Sequence, residues 1–103
     1  MDDFPKWKPQ ARTIRAIKRC DLKTRKTIVR NAASNFISRP DVRNKLFEKK
    51  GDKCYICGEK ATQIDHKVSA YEFAVNTNWD LSMLNSLDNL FPICKKCNSS
   101  KSP

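Results

Sequence analysis

The hydrophobic and polar positions between residues 23 and 50 have the spacing of two amphipathic helices. Pro40 separates the two segments, and Asp41 can begin the second helix, over about 41–50. Gly51 follows at the point where a helix C-terminus favours a left-handed residue. In the first segment, 23–38, the apolar positions recur at helical spacing and form one stripe: Ile28, Val29, Ala32, Ala33, Phe36 and Ile37. The second helix is expected to bury Val42, Leu46 and Phe47.

Shorter elements are predicted on either side of these helices. Residues 11–20 can form a short basic helix, and TQIDHKV (62–68) and NLFPIC (89–94) are candidate strands. KKCNSSK (95–101) should open a final helix. A featureless loop over 70–88 would be unusually long, so we expect short helices near 70–75 and 82–86. The fold class is therefore α+β.

The excess of positive over negative charge lies entirely in the first half of the chain. The net charge is +10, from 21 Lys and Arg against 11 Asp and Glu, and residues 54–103 are neutral overall. A basic segment of this kind usually binds a polyanion, and nucleic acid is the commonest. The expected contacts are Arg25, Lys26 and Arg30, which lie largely off the apolar stripe, together with Lys67. A solvated lysine-rich surface is the alternative.

The N-terminal sequence MDDFPKWKPQ is broken by prolines and interleaves aromatic residues with lysines. Trp7 could stack on a base, although packing on its own domain is the favoured interpretation. The stretch has no apolar core typical of a secretory signal, and no run of about 18 apolar residues predicts a membrane span. We therefore expect a cytoplasmic protein, from a bacterium or a phage.

Four of the five cysteines form two Cys-x-x-Cys pairs, Cys54 with Cys57 and Cys94 with Cys97, while Cys20 stands alone. In a reducing compartment such pairs bind metal more often than they form disulfides. Four thiolates suit a tetrahedral zinc ion, and a filled shell would make that zinc structural. Free buried thiols or a redox pair are the alternatives.

The only histidine, His66, follows Asp65 within the segment that separates the two cysteine pairs. A zinc ion joining the pairs would bring this strand close to the last helix, where Asn98 follows Cys97. Asp65 and Asn98 could then share a cation through oxygen ligands, as Mg²⁺ prefers. Neutral imidazole is a competent general base near pH 7. Asn89 is a candidate partner for orienting the ring.

The motif Cys54-x2-Cys57, Asp65-His66, Asn89-Leu90-x2-Ile93-Cys94-x2-Cys97-Asn98-x2-Lys101 resembles the HNH endonucleases, whose fold is the ββα-metal core. The resemblance covers about residues 42–101.

The resemblance to this family implies an enzyme that hydrolyses DNA phosphodiester bonds and commonly leaves 5′-phosphate ends. It implies that His66 is the general base, that Asn89 orients the histidine loop, and that Asp65 and Asn98 ligate Mg²⁺ or another divalent cation. The chain would divide into a basic arm and helices over 1–40, contacting DNA, and a nuclease core over 41–103. Residues 70–88 would be an insertion, and cutting both strands would need a homodimer or two visits.

Two alternatives remain open at this point. A zinc-stabilised module that binds nucleic acid without chemistry explains the charge and the cysteines, and a zinc module for protein interaction is a weaker option. Among single residues, Asn98 could simply cap the last helix, since asparagine is common there. Asn85 is a rival of Asn89 for the middle position of the motif, although it lacks the spacing to Leu90 and Cys94.

Overall fold

The computed structural model describes residues 3–101 as five helices, two strands and two short 3₁₀ turns. In chain order the elements are α1 (Ala11–Arg19), α2 (Leu22–Ile37), α3 (Pro40–Lys50), β1 (Gln63–His66), α4 (Ala70–Val75), the turns Leu81–Met83 and Leu87–Asn89, β2 (Leu90–Ile93) and α5 (Lys95–Ser100). This α+β arrangement confirms the predicted fold class. No helix in the described part of the chain is long and apolar enough to cross a membrane.

The helix ends follow local side-chain chemistry. Asp21 caps α2, because its carboxylate accepts the N–H of Thr24 at 2.9 Å. Pro40 is the first residue of α3 and not a break before it, since the first turn needs no N–H from that position. Gly51 ends α3 with φ of +81°, which confirms the left-handed cap.

The short helix expected around 82–86 is only a 3₁₀ turn, Leu81–Met83, and a second 3₁₀ turn follows at Leu87–Asn89. The chain forms two 3₁₀ turns there because short polar side chains compete for the backbone. Asp80 accepts the N–H of Ser82 at 3.0 Å, and Ser86 accepts the N–H of Asp88 at 3.1 Å. These bonds stabilise turns, so the helix does not propagate. The other short helix, at 70–75, is confirmed and begins with a capping box between Ser69 and Glu72.

The two strands pair antiparallel, with Asp65 opposite Phe91 and His66 opposite Leu90. Successive side chains of a strand point to opposite faces of a sheet. Asp65 and His66 therefore belong to different faces of β1 although they are neighbours in sequence. Within residues 3–101 no other strand pairs with β1, so its second edge is open.

Two apolar clusters pack the helices against one another and against the sheet. The first joins the N-terminal arm, α2, α3 and the sheet through Phe4, Phe36, Val42, Leu46, Ile64 and Leu90. The second joins α1, α2 and α4 to the 81–84 segment through Ile17, Val29, Ala33, Phe73, Ala74 and Leu84. Half-buried Trp7 packs on both clusters, as expected for a packing residue. The first cluster includes residues from both sides of the boundary predicted at residue 40, and the division stays a prediction.

Candidate metal and catalytic site

The four paired cysteines form one cluster that can hold a metal ion such as zinc. Their sulfur atoms all lie within 4.8 Å of one another, and Cys57 Sγ and Cys94 Sγ are 3.7 Å apart. Tetrahedral zinc with Zn–S bonds of about 2.3 Å places its sulfur ligands about 3.8 Å apart. The donor set therefore fits such an ion, and small side-chain shifts would bring all four sulfur atoms to this spacing.

Backbone hydrogen bonds preset the position of both cysteine pairs. In the first pair, the N–H of Gly58 donates to the C=O of Cys54 at 2.9 Å, and Gly58 has φ of +80°, which favours glycine. In the second pair, Cys94 precedes α5 and its sulfur accepts the N–H of Cys97 at 3.4 Å. The thiols are thus placed by turn and helix-start geometry.

The thiols of this cluster differ in acidity. Burial opposes ionisation of Cys54, but backbone N–H groups, first that of Cys57, outweigh it and lower its pKa from 9.0 to about 6. The pKa of Cys97 rises to about 12, chiefly through its hydrogen bond with Cys94. One thiolate forms readily, and a bound cation has to displace the remaining protons.

The imidazole of His66 is buried, with 9% of the residue exposed, and its partner is a side chain from the segment between α4 and β2. Nε2 of His66 lies 2.8 Å from Oδ1 of Asn85, which is itself only 2% exposed. We expected Asn89 to orient this ring, and the structure places Asn85 there.

This contact sets the tautomer of His66. The amide nitrogen of Asn85 donates to the C=O of Ala32 at 3.4 Å, so its oxygen is the atom that faces the imidazole. An oxygen acceptor requires the proton on Nε2, and the lone pair is then on Nδ1. Burial lowers the pKa of His66 below 6.5, and the opposing effects of Asn85 and Asp65 are smaller. The ring is therefore neutral at pH 7.

Asn89 acts on the backbone around the histidine. Its Oδ1 accepts the N–H of Val68 at 2.7 Å, and its Nδ2 donates to the C=O of Val68 at 3.1 Å and of Leu84 at 2.9 Å. Val68 lies two residues after His66, and Leu84 directly precedes Asn85. Asn89 thus ties together the two segments that carry the imidazole and its amide partner.

Asp65 lies on the other face of β1 and has two donors on one oxygen. Its Oδ2 accepts the hydroxyl of Tyr55 at 2.6 Å and the ammonium group of Lys101. Among the described residues no hydrogen bond reaches Oδ1. That oxygen is available to a ligand.

Asn98 lies in α5, which packs beside β1. Its Nδ2 donates to Gln63 Oε1 at 2.7 Å, and in the described part of the chain its Oδ1 accepts no hydrogen bond. Asp65 and Asn98 therefore each have one free oxygen, and oxygen donors of this kind fit Mg²⁺.

Asp65, His66 and Asn98 border one groove of about 340 Å³, between α2, β1 and α5. We call it the β1 groove. Its other lining residues are Arg30, Ala33, Ser34, Ile37, Ile64, Ser69, Ala70 and Lys101. A second groove, of about 390 Å³ between the N-terminal arm and α2, contains none of the predicted catalytic or metal-binding side chains.

The four cations predicted to contact nucleic acid differ in their surroundings. Arg25 supports the fold, because it donates to the C=O of Ala74 and of Cys20, both at 2.8 Å. Lys26 and Lys67 lie 5.4 and 5.7 Å from the ring centres of Tyr71 and Phe91. Exposed Arg30 lines the β1 groove, and no hydrogen bond or salt bridge joins it to another described residue.

Two contacts of the site were not predicted from the sequence, that of Tyr55 with Asp65 and that of Asn85 with His66. The sequence places Tyr55 between Cys54 and Cys57 and makes Asn85 a rival of Asn89 for a motif position, and it did not predict the contacts of either side chain. For Asn85 no spacing rule exists, because its contact with His66 depends on how the 70–88 segment packs.

No family model, curated protein or solved structure matches this chain.

Proposed function

We propose that the chain is a metal-dependent endonuclease of the HNH type that hydrolyses DNA phosphodiester bonds. The observation that supports it best is the β1 groove, whose lining includes a buried neutral imidazole, that of His66, and two residues with free side-chain oxygens, Asp65 and Asn98. Groups of this kind are what metal-assisted hydrolysis needs, namely a base for water and ligands for a hard cation. The basic first half of the chain favours a polyanionic substrate.

The two candidate metal sites would have different tasks. The four thiolates would hold a structural zinc ion, since a filled tetrahedral shell has no open position for a substrate. Asp65 and Asn98 would hold Mg²⁺ or another divalent cation. This cation would polarise the scissile phosphate and stabilise the departing oxygen.

His66 would act as the general base through Nδ1. It accepts a proton from a water molecule as that water attacks phosphorus, while the P–O3′ bond breaks and the electron pair leaves with O3′. The imidazolium that forms keeps its Nε2 proton on Asn85, so the ring does not need to turn during the step. Because His66 has a low pKa, it can accept this proton at neutral pH without first losing one.

Arg30 and Lys101 place two positive charges at the β1 groove, where a phosphate would lie. Lys26 lies one helical turn before Arg30 on α2, so the same side of that helix could follow the DNA backbone. Arg25 would contribute less, because two of its donors already bond the chain. Binding through several phosphates should weaken by about 0.9 log unit per log unit of salt for each phosphate neutralised.

The proposal is tested by incubating supercoiled plasmid with the zinc-loaded protein and Mg²⁺, Mn²⁺ or Ni²⁺ in turn. The wild type should nick or linearise the plasmid, and His66→Ala should lose roughly 10²–10⁴-fold in rate with its zinc content unchanged. Thr62→Ala is the matched control, since Thr62 is exposed directly before β1 and should retain full activity.

Two results would contradict the proposal. Cleavage by His66→Ala at the wild-type rate would exclude this imidazole as the base. Salt-sensitive DNA binding with no cleavage of duplex, nicked or single-stranded DNA under any of the three metals would instead support a zinc-stabilised nucleic-acid-binding module.

A further inference from the structure

Tyr55 lies between Cys54 and Cys57 and is held on β2 by two contacts. Its backbone N–H donates to the C=O of Pro92 at 3.0 Å. Its ring stacks on that of Phe91, with the ring centres 5.1 Å apart and an interplanar angle of 29°. The direction of this side chain is therefore fixed by the cysteine turn and by the neighbouring strand.

The stacked ring brings the Tyr55 hydroxyl to Asp65. Phe91 is the cross-strand partner of Asp65, so a ring lying on Phe91 reaches the same face of the sheet. The hydroxyl donates to Oδ2 of Asp65 at 2.6 Å. Lys101, which follows the second cysteine pair, contacts the same oxygen. Tyr55, within the first cysteine pair, and Lys101, just after the second, thus each contact this carboxylate.

We infer that Tyr55 is a positioning residue that fixes the Asp65 carboxylate for a divalent cation, and that it couples the cysteine cluster to the cation site. This inference rests on the proposed function. With Oδ2 engaged by two donors, the carboxylate presents Oδ1 as a single preset ligand atom. Without the hydroxyl, the Asp65 side chain gains rotational freedom that the cation has to remove on binding.

The expected size of the effect follows from how metal sites are built. Groups that hydrogen-bond a ligating carboxylate typically change metal affinity or activity by about 10–100-fold when they are removed. Tyr55→Phe deletes one hydroxyl and keeps the ring that stacks on Phe91. We expect it to weaken cation binding by about tenfold.

The test measures Mn²⁺ binding by electron paramagnetic resonance on the full, zinc-loaded chain without DNA. Wild type, Tyr55→Phe and Tyr71→Phe are compared, with zinc content measured in each. Tyr71→Phe is the matched control, because Tyr71 is 42% exposed and its hydroxyl bonds no other residue within 3–101. Tyr55→Phe should bind Mn²⁺ about tenfold more weakly with one zinc per chain, and Tyr71→Phe should match the wild type.

A second measurement separates positioning from general damage. Cleavage by Tyr55→Phe should recover towards the wild-type rate as the Mn²⁺ concentration is raised, because the base and the cysteine cluster are intact. Mn²⁺ affinity within twofold of wild type, or loss of zinc from Tyr55→Phe, would overturn the inference and leave the nuclease proposal standing. A wild type that neither binds Mn²⁺ nor cuts DNA would instead overturn the nuclease proposal, and this inference with it.

Discussion

The two faces of β1 hold adjacent residues in opposite ways. Asp65 is surrounded by a hydroxyl and an ammonium group, supplied by the two cysteine pairs. His66 is buried against the uncharged amide of Asn85, which comes from the 81–90 segment. The side of β1 that carries Asp65, the cysteine face, therefore depends on the cysteine cluster. The side that carries His66, the histidine face, depends on packing against α2.

This difference bears on the proposal that one short strand carries both a metal ligand and a general base. The Asp65 carboxylate lies beside a hydroxyl and an ammonium group, whereas burial among neutral groups disfavours an imidazolium and lowers the pKa of His66. Because side chains alternate across a strand, a single residue step places the two side chains in these different surroundings. The predictions below perturb one face and ask whether the other responds.

The largest effect is expected from Cys94→Ser, which removes one of the four sulfur ligands of the cysteine cluster. Zinc binding can contribute on the order of 10 kcal/mol to folding of a small unit, so removing one thiolate should cost a large part of the stability. We expect loss of bound zinc, measured by elemental analysis. We also expect a much lower or absent thermal unfolding transition by circular dichroism.

Cys20→Ser is the control for this variant, because the Cys20 side chain lies outside the cluster. It should keep its zinc and a wild-type melting temperature. Retention of both by Cys94→Ser would contradict a structural role for the bound ion. Retained helical signal with lost cation binding would show that the cysteine face can fail while the histidine face stays folded.

A smaller effect is expected from the histidine face, through Asn85→Ala. The variant leaves the buried Nε2 proton of His66 without an acceptor, which costs about 1–3 kcal/mol of stability. The ring also loses the bond that fixes its tautomer, so kcat/KM should fall by about 10–100-fold. Denaturant unfolding and plasmid cleavage measure the two effects, and zinc content should not change.

Asn85→Asp sharpens the same comparison. The carboxylate keeps an acceptor for Nε2 but adds a negative charge, which raises the pKa of His66 and moves the acid limb of activity to higher pH. Asn78→Ala is the control, since Asn78 is an exposed amide in the same segment. A wild-type pH profile for Asn85→Asp would mean that the amide does not contact the ring in solution.

The two faces were not equally predictable from the sequence. The cysteine cluster was predicted from the spacing within each Cys-x-x-Cys pair together with the preference of zinc for four thiolates. The helices α2 and α3 followed from their apolar stripes, within a residue of the predicted limits. The turn of each cysteine pair and the two helices depend on neighbours within a few positions, whereas the meeting of the two pairs was inferred from the chemistry of zinc.

The partner of His66 could not be found in the same way. Asn85 lies 19 residues from the histidine, and its place is set by two 3₁₀ turns and by Leu84 packing in the second cluster. Turn types depend on small differences between side-chain and backbone hydrogen bonds, which periodicity does not report. The hydroxyl of Tyr55 was missed for a related reason, because its contact with Asp65 exists only once the strands are paired.

The smallest expected effect is on pH dependence, and it isolates the histidine face. Because burial lowers the pKa of His66, kcat/KM should be level near pH 7 and fall about tenfold per pH unit only below a midpoint under 6.5.

The lowered pKa of His66 also makes the free energy of unfolding depend on pH. The contribution of neutral His66 to stability is complete above about pH 6.5 and is lost as the pH falls through the pKa of the folded state, because the unfolded chain binds the proton first. Zinc release at low pH would add to this loss, so the free energy of unfolding is compared with that of His66→Gln. The wild type should lose more stability than His66→Gln between pH 7 and pH 5.5, whereas equal losses, or an acid limb centred above 6.5, would show that His66 is not held in a buried, neutral state.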